Sequence, residues 1–316
     1  METVVDPRLL EESVFLALRS NVLREHSESI RYRFLADALY EIADRDRRDS
    51  AFQNLHQETF IRLGLDKHID SAISFFPELK MRLARLVFVY SERRKDEEAE
   101  LFHHIVNGWS LLFRIRAETM IDGAAFRRLA LHEMSHASDM LDPEFGYIRT
   151  LGDGRQNAQQ RDIIRDRFRC LWDICIDSRL SCKNEQPLQH REYHELNFFR
   201  NFGVSELTRS IFSRLWNADV PLKPTGTSLL EAAKVPEALC AFVGLDPHSV
   251  QTRAIRNFTA TCPLCQCPTT EWVRDSSQLS SEVVQSIQTK FPGWSPSEPI
   301  CCQCEEVFRA NLSAAQ

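Results

Sequence analysis

Several features that would indicate a membrane-bound or nucleic-acid-binding protein are missing from this sequence. The formal net charge is −6, and an acidic chain lacks the positive field that attracts nucleic acid or an anionic membrane. The longest apolar runs, such as residues 86–90, fall far short of the roughly 20 residues that a membrane-spanning helix needs. There is no recognisable internal repeat. We therefore expect neither a membrane nor nucleic acid among the partners.

The N-terminus also lacks a basic, apolar leader. The first residues carry Glu2, Asp6, Glu11 and Glu12 and have the pattern of an amphipathic helix rather than that of a signal peptide. The chain nevertheless contains ten cysteines. Cysteines in a chain without an export signal indicate a reducing compartment, and thiol or metal chemistry rather than disulfides. The sequence therefore predicts a cytoplasmic protein.

The composition is that of a globular protein with a substantial core. With 316 residues, 43% of them hydrophobic, the chain is long enough for two domains, or for one large domain with a small appendage. Residues 8–80 show helical apolar spacing, whereas 86–90 and 110–120 have strand character, and the charge run 91–100 is interpreted as a solvated turn or helix start. Helical patterns return in four segments: 124–141, 162–180, 190–217 and 228–243. We expect a mostly helical α+β fold.

The segment at residues 132–136 carries the strongest chemical signal, an HExxH motif in a helical stretch. His132 and His136 are four residues apart, so both imidazoles lie on one helix face and can bind one ion. Glu133 projects beside that ion, where it can take a proton from a zinc-bound water and pass it to a leaving group. The motif therefore predicts a catalytic zinc site.

This motif resembles the active helix of zincin metallopeptidases. The resemblance implies an edge strand near the helix, His132 and His136 as zinc ligands, Glu133 as the base, and a third ligand from further along the chain. It implies a zinc-dependent metallopeptidase that hydrolyses a peptide (amide) bond by Glu-assisted attack of zinc-bound water. A zincin-like core would span residues 81–257, after a helical N-terminal region at 1–80, and its substrate would be a peptide or protein.

Three acids compete for the position of the third ligand. Asp173 and Asp177 lie four residues apart and face the same way on one helix, a device similar to that of thermolysin-like zincins. We place Asp177 first and Asp173 second. Asp142 has the spacing of metzincins that end in Asp, but Asp139 stands where those proteins have glycine, and Asp142 before a proline is also a good helix stop.

Histidine and tyrosine side chains are further candidates for this site. His190 and His194 are again four apart and can reach a metal, although an exposed pair is the simpler interpretation. Tyr147 can serve as an oxyanion donor or as a core residue. The remaining isolated cysteines are expected to be buried small apolar residues: Cys170, Cys175, Cys182 and Cys240.

Four cysteines near the C-terminus have the spacing of a structural zinc site. Cys262 and Cys265 form one CxxC pair, and Cys301 and Cys304 form a second. Two such pairs can supply four thiolates to one tetrahedral zinc, and they resemble a zinc ribbon, which we place at residues 258–316. Three basic residues accompany six acidic ones there. We therefore expect this ribbon to stabilise the fold or to dock a protein partner, rather than to bind nucleic acid.

Two alternatives to a general metallopeptidase remain open. SprT-like proteases, which act on DNA-associated protein, also join an HExxH helix to a C-terminal zinc ribbon, but their third histidine is absent here and the balance of charge is acidic. A catalytically inactive, zinc-stabilised protein-interaction module is the other. Glu133 favours an enzyme, because a site without a reaction has little need of a carboxylate beside two ligands. The sequence predicts two zinc ions per chain, one catalytic and one structural.

Overall fold

The structure is a computed structural model that describes residues 1–20, 27–106, 108–148, 158–217, 224–246, 262–267, 269, 272–273 and 276–313. Helices dominate and a small four-stranded sheet accompanies them, so the expected α+β, mostly helical class is confirmed. The chain divides into two compact units, residues 1–142 and 143–316. Among the described helices, none combines the length and apolar character needed to cross a bilayer.

The first unit contains the HExxH motif. Its elements in chain order are β1 (Glu2–Val5), α1 (Pro7–Arg19), α2 (Ser27–Tyr40), α3 (Arg45–Arg62), α4 (Asp66–Ser74), α5 (Pro77–Arg82), β2 (Leu83–Tyr90), β3 (Glu98–His104), β4 (Gly108–Ile115), α6 (Ala117–Ile121) and α7 (Gly123–Leu141). The helical character expected for residues 8–80 is thus confirmed where the chain is described.

The strands form one sheet in the order β1-β2-β4-β3. β1, β2 and β4 are parallel, whereas β3 is antiparallel to β4 and forms an edge of the sheet. Beneath the sheet, Phe88 and Phe113 stack with ring centroids 5.0 Å apart, and Phe126 of α7 lies 5.8 Å from Phe88. All three side chains are fully buried. This aromatic cluster fixes α7, and with it the motif, against the sheet.

β3 corrects one expectation from the sequence. The charge run 91–100 was expected to be a turn or helix start, but only Arg94–Asp96 form a 3-10 turn, and the strand begins at Glu98. Glu98 and Glu100 lie 3.1 and 2.8 Å from Arg114 on β4. Cross-strand pairing with an opposite charge makes acidic residues acceptable in this strand, and that partner is not visible from the local charge pattern.

Helix α7 begins and ends close to where the sequence predicts. The Asp122 side chain accepts hydrogen bonds from the N–H groups of Ala124 and Ala125, both at 3.0 Å, and so caps the helix. The first turn packs closely on His68, since a Cβ at Gly123 would lie 2.8 Å from its Nε2 and would require that ring to move. The helix ends at Leu141, with Asp142 as its C-cap.

The long elements described in the second unit are all helices. Its elements are α8 (Ala158–Cys182), α9 (Arg191–Phe202), α10 (Glu206–Trp216), α11 (Gly226–Lys234), α12 (Pro236–Phe242), α13 (Ser281–Lys290) and α14 (Cys302–Ser313). The helices expected at 190–217 and 228–243 are each divided in two. Gly203, with a φ of 86°, follows α9, and Pro236 begins α12, since proline fits the first turn of a helix but not its interior.

The C-terminal segment has its own apolar cluster, but it is not a β-ribbon in the described residues. It contains the helices α13 and α14 and an isolated bridge between Trp272 and Cys301. The buried members of the cluster are Cys262, Leu264, Trp272, Leu279, Val283, Ile287, Trp294, Ile300, Cys301 and Phe308. Residues 258–261 of the expected ribbon lie outside the described residues, and the division into 1–80, 81–257 and 258–316 stays a prediction.

Candidate metal centres

The two motif histidines are presented by one face of α7. Their ring centroids are 5.0 Å apart and the planes meet at 73°, and a ligand nitrogen of each lies within 4.8 Å of the other. His132 is 5% exposed and His136 is half-buried. His132 is thus enclosed by the fold, whereas solvent can reach His136. Neutral imidazole is a common zinc ligand, so the pair fits a metal ion.

Glu133 lies next to the pair and contacts the edge strand. Its Oε2 accepts a hydrogen bond from the backbone N–H of Ala99 on β3, at 3.2 Å. The side chain is half-buried, so solvent can reach it. The carboxylate therefore lies between the motif helix and the sheet edge, and a solvent-accessible carboxylate of this kind can accept a proton.

Asp142, one of the alternatives for the third ligand, is an exposed helix-end residue. Its N–H donates to the carbonyl of Ser138 at 3.0 Å and to that of Asp139 at 3.1 Å. The stop expected at Asp142 and the following proline is confirmed. Whether the Asp142 carboxylate also binds metal stays a prediction.

Asp177, the first choice for the third ligand, is deeply buried on α8. Its exposure is 0%, and its carboxylate accepts from the N–H groups of Leu188 and Gln189 at 3.2 and 3.1 Å. Its Oδ2 also lies 2.7 Å from Nε2 of His194. These contacts hold the carboxylate within the second unit and join α8 to the start of α9.

His194 corrects a second expectation. The histidine pair at 190 and 194 was interpreted as exposed, and this is right for His190 but wrong for His194, which is 1% exposed. The ring of Trp216 lies 5.5 Å away. An imidazole can be buried here because Asp177 provides a hydrogen-bond partner, and this partner becomes adjacent only when α8 and α9 pack together.

Asp173 lies one helical turn before Asp177 and differs from it in environment. It is half-buried among fully buried apolar neighbours on α8, such as Leu171 and Ile174. Phe145 stacks on Trp172 at 5.1 Å and Tyr147 lies 6.1 Å from the same ring. Tyr147 is 37% exposed, so it is a partly exposed aromatic at the rim of this cluster rather than a core residue.

The four C-terminal cysteines come together. Cys262 and Cys304 have sulfurs 3.8 Å apart, as do Cys265 and Cys301, and all four sulfurs lie within 4.8 Å of one another. Zn–S bonds of about 2.3 Å in a tetrahedral site separate two sulfurs by about 3.8 Å. The cluster can hold a metal ion.

The second pair of these cysteines starts a helix. Cys301 immediately precedes α14, and its sulfur accepts from the N–H of Cys304 at 3.3 Å. The N-terminus of a helix favours negative charge, so this position suits thiolates. The sequence spacing predicted the four ligands but not the helix that presents two of them.

The thiols of the cluster differ in acidity. The pKa of Cys265 is lowered to about 7, chiefly by a hydrogen bond from the backbone of Cys267. Burial raises the pKa of Cys301 and of Cys304. Because metal binding requires thiolates, it must displace protons from the buried members, which couples ion binding to pH.

The other cysteines mostly match expectation. Cys170, Cys175 and Cys240 are buried, whereas Cys182 is exposed and corrects the prediction for that position. Burial raises the pKa of Cys170 well above its usual range, which makes this thiol unreactive. Cys267 is exposed, and its sulfur lies 3.5 Å from the carbonyl oxygen of Cys265.

Comparison of the chain with protein-family models, with curated proteins and with solved structures gives no match. The functional argument therefore rests on the residues and their geometry. Two contacts could not be predicted from the sequence. One joins the Ala99 backbone to Glu133, and the other joins His194 to Asp177. A backbone N–H has no sequence signature, and the His194 contact spans 17 residues.

Proposed function

We propose that this chain is a zinc-dependent metallopeptidase with its reactive centre on α7 and a structural zinc at the four cysteines. The observation that carries the proposal is the arrangement of one helix face: two histidines one turn apart, with Glu133 beside them at a sheet edge. Each of these residue types has a role in metal-assisted hydrolysis, and their spacing would let the histidines bind one ion with the glutamate close to it.

His132 and His136 would hold the catalytic ion, and Glu133 would move the proton. When bound, zinc lowers the pKa of water and polarises a carbonyl group. Glu133 accepts a proton at its carboxylate and returns it to the leaving nitrogen, which makes the amine a better leaving group. The carboxylate is half-buried and its Oε2 accepts the Ala99 N–H, which supports this role because solvent can still reach the side chain.

We assign the third ligand to Asp173 rather than to Asp177. The Asp177 carboxylate already accepts two backbone N–H groups and the His194 imidazole in a fully buried setting. Removing the carboxylate from these donors would leave the buried His194 imidazole without this acceptor, at a cost of about 1–3 kcal/mol, and would also break the two partly buried bonds from Leu188 and Gln189. Asp173, half-buried and one turn away, carries the same functional group and is a potential metal ligand.

The edge strand favours a peptide over other amides. β3 lies at the edge of the sheet, and its residue Ala99 contacts the proposed base. An extended polypeptide can add to an exposed strand edge through main-chain hydrogen bonds. Such a substrate would be guided along β3 towards Glu133. A small amide has no comparable way of using this edge.

The experiment that tests the proposal is digestion of a peptide library by the wild-type protein and by Glu133→Gln. We expect cleavage by the wild type and a loss of rate of roughly 10²–10⁴-fold in the variant, the usual contribution of a general base. Zinc content, measured by elemental analysis, should be equal in the two proteins. Equal cleavage by both proteins would contradict the assignment of Glu133, and no cleavage by either would contradict the proposed activity.

A further inference from the structure

We propose that the edge strand β3 belongs to the catalytic apparatus, because the backbone N–H of Ala99 positions the carboxylate of Glu133. This inference rests on the proposed function and adds a positioning group for the proposed base. The hydrogen bond joins Ala99 N to Glu133 Oε2 at 3.2 Å, in a partly buried setting. It links two elements that are 34 residues apart in the chain.

The pairing of β3 shows why this N–H is available. Ala99 lies opposite Phe113 of β4, and in an antiparallel pair successive residues direct their N–H groups alternately towards the partner strand and away from it. Since Ala99 donates to Glu133, its N–H points away from β4. The same alternation directs the N–H groups of Leu101 and His103 away from β4. β3 thus has an outer row of donors, and the first of them reaches the motif helix.

The bond has two chemical consequences for Glu133. A glutamate side chain has several rotatable bonds, and fixing it before the reaction removes an entropic cost from the proton-transfer step. Holding Oε2 also leaves Oε1 as the oxygen that accepts the proton. A hydrogen bond to a carboxylate is stronger than one between neutral groups, so a single N–H can select one orientation of this half-buried side chain.

The hydrogen bond itself can be tested without any substrate, by residue-resolved amide exchange of the full-length chain. In the wild type, the Ala99 amide should exchange about tenfold more slowly than that of Leu101, its neighbour in the outer row. In Glu133→Ala the Ala99 rate should rise to that of Leu101, while Glu133→Gln, which retains an acceptor oxygen, should keep part of the protection. An unchanged Ala99 rate in Glu133→Ala would overturn the proposal.

The positioning role is tested with proline, which removes one N–H. Proline is tolerated in an edge strand where the N–H faces away from the neighbouring strand, so Ala99→Pro should preserve the sheet. Leu101→Pro is the matched control, because it removes the next donor of the same row. We expect kcat to fall about tenfold in Ala99→Pro, with KM, zinc content and melting temperature close to those of Leu101→Pro.

The two measurements separate this inference from the proposed function. Equal kcat values for Ala99→Pro and Leu101→Pro would show that the Ala99 N–H does not position the base, even if the wild type cleaves peptides. A wild type that cleaves no peptide would contradict the proposed activity, and amide exchange would then still decide whether the bond from Ala99 to Glu133 exists.

Discussion

The two candidate metal centres differ in how far apart in the chain their ligands lie. His132 and His136 are one turn apart on a single helix, so forming α7 already brings them together. The cysteines come from two segments, with contacts between positions separated by 42 and 36 residues. The first pair needs only a helix, whereas the second cluster needs the chain to close a loop, which costs conformational entropy.

The two centres also differ in the size of the apolar core that surrounds them. α7 is fixed by large buried side chains such as Phe126, Leu131 and Met134, all with 0% exposure. The cysteine cluster instead forms part of a small apolar cluster, and two of its members have a raised pKa because of burial. Under the proposed function, an ion on α7 would serve the reaction and an ion at the cysteines would stabilise the fold.

The largest effect on folding is therefore expected at the cysteines. Cys262→Ser or Cys304→Ser should unfold the C-terminal segment, because structural zinc contributes folding free energy directly. Limited proteolysis should then remove α13 and α14 while residues 1–142 stay resistant. Cys267→Ser, at an exposed cysteine outside the four-sulfur cluster, is the matched control. A C-terminal segment as resistant as that of the wild type would contradict the structural role of this cluster.

The next largest effect is expected at the buried Asp177. Asp177→Ala should lower the free energy of unfolding by roughly 3–5 kcal/mol, as the loss of one partner of a buried polar pair usually does. Asp173→Ala should instead lower zinc affinity at the α7 centre at least tenfold. Denaturant unfolding and zinc titration of both variants measure the two effects. The reverse result, with weaker zinc binding only in Asp177→Ala, would restore Asp177 as the third ligand.

A smaller effect on folding is expected at His132. His132→Ala should lower the zinc content from about two ions per chain to about one, because the two centres have separate ligands. The C-terminal segment should keep its resistance to proteolysis. Elemental analysis gives the count, and a loss of both ions, or of neither, would break the proposed independence of the centres.

The smallest effect is a dependence of stability on pH in the first unit, away from both centres. Burial lowers the pKa of His56, and its Nε2 lies 3.0 Å from the Tyr32 hydroxyl, whose pKa burial raises to about 12. Tyr32 therefore stays protonated and donates to neutral His56. The groups facing the imidazole are Phe15, Tyr32 and Phe52, with Glu11 as the nearby charge.

The direction of this pH dependence is set by which state, folded or unfolded, binds more protons at His56. Between the lowered folded pKa and the unfolded value of about 6.5, the unfolded chain binds more protons, so stability is full above pH 6.5 and falls as the pH drops below it. The slope should not exceed about 1.4 kcal/mol per pH unit for one group. Thermal melting of wild type and His56→Gln between pH 5 and 7 measures it. Equal slopes for the two proteins would contradict this origin.

Several elements follow from local sequence because local physics decides them. The helix through the HExxH motif was predicted over residues 124–141 with a stop before Pro143, and it spans Gly123–Leu141. The two CxxC pairs predict a four-sulfur cluster because few other arrangements satisfy that spacing. By contrast, the charge run before β3 gave no sign of a strand, since its pairing with Arg114 is made across the sheet.

The sequence by itself determined which residue types can bind metal and that two histidines share a helix face with a glutamate next to them in the chain, because helical periodicity is a local property. Only the tertiary structure decided what surrounds them. It placed Ala99 of an edge strand against Glu133, and it gave Asp177 a buried histidine as partner. Both contacts join elements that are distant in the chain, and such contacts are set by how the helices and strands pack rather than by neighbouring residues.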